Sequence, residues 1–402
     1  WETTEPNTFG TNEFVKWCRK ANTSPMMAVN LGTRGPDAAR NLVEYCNHEK
    51  GSYYSDLRRS HGAEQPHNIR LWCLGNEMDG DWQMGHKTAE EYGRAANEAA
   101  KIMKMVDRSI ELVLCGSSNS GMRTFGDYEA TALDLSYEKV DYISLHQYFG
   151  NHDGDTENFL ARSCELESYI KTVACICDFI KGKKHSNHTV NLSLDEWNVW
   201  YHSNGAKFEK WSQAPHILED VYNFEDALVV GLMLITILRN SDRVKIACMA
   251  QLVNVIAPIM TEDGGKAWAQ TIYYPYLHAS KYGRGYALTT LLETTRHDTR
   301  DFSDVTDIDS IAVWDDGGEK LTVFAVNRDM SDDNVLTVNL KDFDVYVPIE
   351  HIEMKGFDLH AVNTSLDGSV KPTSTVLSGI YEAQPEFKLA PLSWNVIRFE
   401  KK

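Results

Sequence analysis

Six short apolar runs, each of strand length, alternate with longer segments of helical period through the first part of the chain. They are Met26 to Leu31, Leu71 to Asn76, Leu112 to Cys115, Tyr142 to His146, Asn191 to Asp195 and Ile246 to Val253. Strands that alternate with helices imply a parallel sheet. Runs that are apolar throughout imply strands buried on both faces. Polar side chains cluster just beyond their C-terminal ends: Asn76 and Glu77, Ser117 and Ser118, His146 and Tyr148, Glu196, then Gln251 and Asn254. That placement predicts an α/β fold of the (β/α)8 TIM-barrel kind, with its chemistry on the C-terminal rim. A doubly wound open sheet is disfavoured, because no G-x-G-x-x-G follows the first strand. Only six strands are visible where a closed barrel needs eight, so the barrel is expected to be incomplete at its N-terminus.

The clearest helix lies between the second and third runs. Thr88 and Glu91 form a capping box. Tyr92, Ala95, Ala96, Ala99, Met103 and Val106 then line one apolar face. An earlier helix is expected to start at Thr11 as N-cap. Near residue 285 the texture changes. Ser310 to Trp314, Leu321 to Asn327, Val335 to Leu340, Val345 to Glu353 and Ser393 to Phe399 are β-like runs without helices between them. Asp315-Asp316-Gly317-Gly318 marks a hairpin turn between the first two. The expected organisation is a catalytic barrel over residues 1–284 and a C-terminal β-sandwich over 285–402.

A formal net charge of −18 argues against nucleic acid as a partner and disfavours an anionic membrane surface. No apolar run approaches the roughly 18 residues that a membrane span needs. The eight cysteines are scattered, with no zinc spacing, and read as reduced thiols of a cytoplasmic protein. Asn151 to Asp155 resembles part of a calcium loop but lacks the bidentate glutamate. His86, His152 and His202 lack the spacing of a metalloprotease helix. No metal and no cofactor is expected. A neutral substrate such as a sugar suits the charge, and ten tryptophans and eighteen tyrosines offer faces for sugar rings.

Two runs end on glutamates set among Asn and Trp: Glu77 and Glu196. A pair of carboxylates is the minimum for hydrolysing a glycosidic bond, one donating a proton and the other attacking the anomeric carbon or activating water. Either residue alone reads more readily as a salt-bridge partner or a neighbour of a helix cap. Two such strand tips together favour catalysis.

The motifs Gly75-Asn76-Glu77-Met78-Asp79-Gly80 with Trp82-Gln83, and Asp195-Glu196-Trp197-Asn198-Val199-Trp200-Tyr201, resemble the acid/base and nucleophile segments of glycoside hydrolase family 51. Tyr142 to Tyr148 and Ala250 to Asn254 resemble two further strand ends of that family, and the similarity runs through nearly the whole chain. The resemblance implies a retaining exo-acting α-L-arabinofuranosidase with a barrel and a C-terminal β-sandwich, often hexameric, acting on arabinose-containing oligosaccharides. It implies Glu77 as general acid/base and Glu196 as nucleophile. It places Asn76 on the sugar 2-hydroxyl, Tyr148 on the nucleophile and Gln251 on the sugar. His146 would position the acid/base, the alternative being a rim histidine without substrate contact. Trp197 and Trp200 would stack on substrate or wall the pocket.

If the retaining mechanism holds, the two carboxyl groups should lie about 5–5.5 Å apart. The pKa of Glu77 should be raised relative to Glu196. Relatives carry a further segment before the position of Trp1, with two barrel strands, so a separate N-terminal chain, or association, is expected to be needed for full activity. Asp81 and Arg123 stand where relatives would carry proline. Two alternatives stay open: another retaining glycosidase or endoglucanase of the same clan, and an inactive sugar-binding subunit.

Overall fold

The computed structural model describes residues 2–402 apart from 206, 344, 378, 379 and 381. Six strands, β1 (Met26–Ala28), β2 (Leu71–Cys73), β3 (Glu111–Leu114), β4 (Tyr142–Phe149), β5 (Asn191–Val199) and β6 (Val244–Met249), form one sheet in sequential order. Every neighbouring pair is parallel. Helix α1 (Thr11–Lys20) precedes β1, and α2 (Pro36–Asn47) with α3 (Tyr53–Ser60) leads to β2. The later crossovers are α4 (Ala89–Val106), α5 (Asp127–Ser136), α6 (Thr156–Leu160) with α7 (Arg162–Lys183), and α8 (Phe224–Arg239). This is the wall of a TIM barrel, standing open between its edge strands β1 and β6.

The capping box of α4 is present. Thr88 Oγ1 accepts the Glu91 N–H at 3.3 Å, and Glu91 Oε2 accepts the Thr88 N–H at 3.1 Å. Tyr92, Ala96, Ala99 and Met103 are fully buried, so the predicted apolar face meets the sheet. Helix α1 begins one residue differently from expectation. Gly10 is its N-cap, and Glu13 takes the Gly10 N–H at 3.0 Å, because the carboxylate three residues on serves that orphan donor. Strand β6 ends at Met249 rather than Val253, because past Ala250 the Gln251 N–H turns away from β5 to the Ile256 carbonyl at 3.0 Å.

After β6 come the hairpin β7 (Ile259–Thr261) and β8 (Ala267–Ala269), then helix α9 (Tyr273–Tyr282). The C-terminal strands are β9 (Tyr286–Ala287), β10 (Arg296–His297), β11 (Val305–Thr306), β12 (Ile308–Asp315), β13 (Lys320–Asn327), β14 (Asn334–Thr337), β15 (Tyr346–Met354), β16 (Thr373–Val376), β17 (Glu386–Leu389) and β18 (Ser393–Lys401). Six of them form a sheet ordered β16-β15-β18-β13-β12-β9. Its two faces follow the period of two. Ala312, Leu321, Val323, Ala325, Ile397 and Phe399 pack under the β14–β17 ribbon. Ile311, Val313, Phe324, Val326, Trp394 and Val396 join the barrel core instead.

Helix α8 lies between the two sheets, which explains why its apolar residues run all the way round. At Gly231 the helix meets Trp394 so closely that a Cβ would fall 2.6 Å from the indole. The barrel and the helix-facing side of the C-terminal sheet thus share one hydrophobic core.

Candidate active site

Both acids of the Asp195–Glu196 doublet face the concave side of the sheet because β5 breaks its alternation there. Its pairing with β4 slips between Ser144 and His146, and its pairing with β6 slips between Leu194 and Trp197. A bulge of this kind re-aims side chains. Asp195 and Glu196 consequently line the same cavity of about 220 Å3, together with Asn76 and His146. Glu77 arrives by another route. Beyond β2 the chain turns sharply through Gly75 (φ 102°) and Glu77 (φ 45°). A side chain at Gly75 would strike the Met78 sulfur at 2.8 Å, so glycine is needed at that turn.

The two glutamates converge. Carboxylate oxygens of Glu77 and Glu196 and a ring nitrogen of His146 all lie within 4.8 Å of one another. That is well inside the roughly 6.5–9.5 Å of an inverting pair. His146, buried at 4 % exposure, sits at the centre. Its Nδ1 lies 3.1 Å from Glu77 Oε1 and 3.6 Å from Glu196 Oε2, and its Nε2 lies 3.1 Å from Asp195 Oδ1. Both ring nitrogens therefore face carboxylates.

Glu77 Oε2 accepts the Trp82 indole N–H at 2.7 Å and the Gln83 amide at 3.2 Å. Tyr148 donates its hydroxyl to Glu196 Oε2 at 3.0 Å. Trp200 meets the Tyr148 ring edge-on, with centroids 5.3 Å apart. The loop that carries Trp200 is pinned from below. Buried Asp220 accepts the N–H groups of Tyr201, His202 and Ser203 at 3.1, 3.0 and 2.8 Å.

The expected order of the two glutamate pKa values is reversed. Burial pushes Glu77 up, but hydrogen bonds from His146, Trp82 and Gln83 and the imidazolium charge outweigh it, and the group lies below its usual value. Glu196 lies above its usual value. Burial and the nearby charges of Glu77 and Asp195 outweigh the attraction of His146 and the hydrogen bond from Tyr148. For His146 burial acts downward, yet the bonds to Asp195 and Glu77 and the Asp195 and Glu196 charges raise it to about 10.

Other predicted residues fall as follows. Asn76 is exposed at the rim of the cavity. Gln251 is exposed just beyond β6, and among the described residues its side chain makes no hydrogen bond. Trp197 is a correction. It is wholly buried and stacked on Tyr276, with no face free for a sugar ring, because the bulge turns it into the core behind the sheet. Asp195, Trp82 and Gln83 carried no assignment beyond their motifs. An Asp-Glu doublet at a strand tip was the available sign of Asp195, but strict alternation would have sent one of the two acids away.

Residues 1–165 match the family described as Alpha-L-arabinofuranosidase 1 domain, and residues 195–393 match Alpha-L-arabinofuranosidase C-terminal domain. The chain is 59% identical over 404 residues to an intracellular exo-α-(1→5)-L-arabinofuranosidase 1 from Bacillus subtilis (strain 168), covering 100% of this chain and 80% of the relative. It belongs to the family 51 α-L-arabinofuranosidases. A second relative, from Acetivibrio thermocellus, is 54% identical over 407 residues, covering 100% of this chain and 81% of its own length.

Among solved structures, a family 51 α-L-arabinofuranosidase from Bifidobacterium longum superposes with a TM-score of 0.94 at 37% identity, over 100% of this chain and 81% of that one. An arabinose complex of the Thermotoga maritima α-L-arabinofuranosidase superposes with a TM-score of 0.86 at 29% identity, over 98% and 80%. In this family 51 chain Glu77 stands on the turn beyond β2 and Glu196 at the bulge within β5, with the histidine of β4 between them.

Proposed function

We propose that this chain is a retaining exo-α-L-arabinofuranosidase that releases terminal arabinofuranosyl residues from arabinan and arabinoxylan oligosaccharides. The convergence of Glu77 and Glu196 within 4.8 Å on one open cavity carries the reading. That spacing suits direct attack on the anomeric carbon and leaves no room for a water between Glu196 and the sugar. Glu196 is the nucleophile, oriented by Tyr148, and it forms the glycosyl-enzyme. Glu77 protonates the leaving oxygen and then deprotonates the water that resolves the intermediate. Asn76 hydrogen-bonds the sugar at the rim, Gln251 swings in to hold it, and Trp200 walls the cavity beside Tyr148.

Residues 1–284 supply this chemistry, and the sheet of 285–402 buttresses it through α8. The enzyme works in the cytoplasm, as the names of its intracellular relatives suggest, and assembles as a homo-oligomer, a hexamer on family resemblance. Light scattering on the purified protein gives the assembly directly. The activity itself is tested by comparing aryl α-L-arabinofuranoside with aryl xyloside and glucoside, following the anomer released by NMR. A mechanism-based inhibitor should then label Glu196. Inversion of the anomeric centre, or a label on any other residue, would refute the assignment.

A further inference from the structure

We infer that the proton which Glu77 donates is stored, in the resting enzyme, on Nδ1 of His146, and that Asp195 is the positioning residue that holds it there. The inference rests on the glycosidase reading above and supplies what that reading lacks. Glu77 must deliver a proton, yet its surroundings keep it ionised.

Consider which atoms can hold that proton. At Glu77 Oε2 the partners are the Trp82 indole and the Gln83 amide nitrogen, which only donate. Neither can pass a proton on. At Oε1 the partner is His146 Nδ1, 3.1 Å away. A neutral imidazole would turn a lone pair toward one of its carboxylates. With Glu77 held as a carboxylate by the donors at Oε2, Glu77 and Glu196 before Nδ1 and Asp195 before Nε2 call for hydrogen on both nitrogens.

These three acids face the ring from β5 and from the turn after β2. Tyr148, on the ring's own strand, holds Glu196. The Cys73 thiol of β2 lies 3.7 Å from Asp195 Oδ2, and Ser193 donates to the same oxygen at 3.1 Å. Among the described residues no Lys or Arg pairs with Glu77, Asp195 or Glu196, so His146 is the cation of the cluster. Its elevated pKa agrees.

The proton inventory closes over one turnover. As Glu196 attacks the anomeric carbon, its negative charge passes into the new ester bond, and the field that held the imidazolium weakens. The Nδ1–H bond breaks and Glu77 Oε1 takes the proton. The electron pair of the cleaved C–O bond goes to the leaving oxygen, which takes that proton from Glu77. His146 is now neutral, with its remaining hydrogen on Nε2 against Asp195. Water then attacks the glycosyl-enzyme and releases Glu196 as carboxylate. The proton lost by that water passes to Glu77 and back to Nδ1.

The test compares the pH profiles of kcat/KM for wild type and Asp195→Asn, using one aryl arabinofuranoside with a poor leaving group and one with a dinitrophenyl group. With the poor leaving group, the basic limb of the variant should move to lower pH by about 1–3 units, because the amide no longer holds the imidazolium. Its kcat should fall about 10²-fold, while KM stays close to wild type. The dinitrophenyl substrate, which needs no acid, should show little change. An unmoved basic limb in a folded, active variant would overturn the inference.

The wild-type spectrum provides a second readout, with His146→Gln used only to assign the resonance. In 15N-histidine NMR, the resonance absent from His146→Gln should show both ring nitrogens protonated at about pH 8, above the usual range of histidine. A single neutral tautomer there would also overturn the inference. Should wild type cleave no arabinofuranoside at all, the glycosidase reading fails, and this spectrum still decides where the proton rests.

Discussion

The hydroxyl of Tyr148 and Nδ1 of His146 address the same oxygen of Glu196, Oε2, at 3.0 and 3.6 Å. Oε1 accepts no hydrogen bond among the described residues and is left free to attack. Tyr148→Phe removes one hydrogen bond to a charged group, worth about 1.5–3 kcal/mol. On this account kcat should fall roughly 10–100-fold with KM little altered. Steady-state kinetics on an aryl arabinofuranoside give the split directly. A rise in KM alone would show Tyr148 to be a binding residue instead.

The nucleophile must be ionised to attack, and Glu196 titrates above the ordinary glutamate value, through burial first and the Glu77 charge after it. Below that pKa the attacking form is lost. The acid limb of kcat/KM should accordingly have its midpoint above the usual glutamate value of about 4.3. Tyr148→Phe should move it higher still, since the lost hydrogen bond favoured the charged form. A limb at or below the ordinary value would mean that another group controls it.

Glu77→Ala separates acid from base catalysis. Turnover of unactivated arabinosides should drop about 10²–10⁴-fold. A dinitrophenyl arabinoside should still form the glycosyl-enzyme, and added azide should restore turnover by attacking the intermediate in place of deprotonated water. Equal losses on both substrates would point to a structural role for Glu77.

How much of this could be read beforehand varies with the kind of force involved. The strands were legible because apolar runs bounded by polar residues are a local pattern, and the α4 cap is legible for the same reason. Their ends were not: β4 and β5 run on to Phe149 and Val199, past the expected His146 and Asp195. Register slips are not local. They arise where β5 meets both neighbours, and they decide that Asp195 joins the site while Trp197 leaves it. The exposed edge strand β16 (Thr-Ser-Thr-Val) carries no burial pattern at all. The pKa order escaped as well. It depends on which donors reach which oxygen, and Trp82 and Gln83 curl back onto Glu77 from five and six residues ahead.

The junction of barrel and sandwich rests on charge as well as packing. Buried Arg328 donates to the Thr306 carbonyl at 2.7 Å, to Ser163 of α7 at 2.8 Å and to Asp309 at 2.9 Å. Asp309 also pairs with Arg239 of α8, which in turn meets Glu167 at 2.7 Å. Arg328→Ala would leave a buried carboxylate half-compensated, at a cost of about 3–5 kcal/mol. Urea unfolding should show the loss as a lower midpoint at unchanged slope. Turnover at low temperature should survive, because the network touches none of the reacting groups.

A buried histidine at the same junction makes stability depend on pH. His278 of α9 accepts the Trp394 indole N–H on Nδ1 at 3.0 Å, so it must be neutral there. Burial lowers its pKa to about 4, with Glu350 opposing and Lys281 assisting. The folded value is thus below the unfolded value of about 6.5. Between these two values the unfolded chain binds the extra proton, and stability must rise with pH. The contribution is fully present above about pH 6.5 and is lost as pH falls towards 4, by at most about 3 kcal/mol. Other groups titrate in this window, so the measurement is a difference: urea midpoints of wild type and His278→Asn across it. The variant should lose stability at neutral pH, where the indole is left with a poorer partner. The gap should narrow as pH falls, because only the wild type then has a buried imidazole to charge. A gap that stays constant with pH would show that His278 keeps the same protonation folded and unfolded.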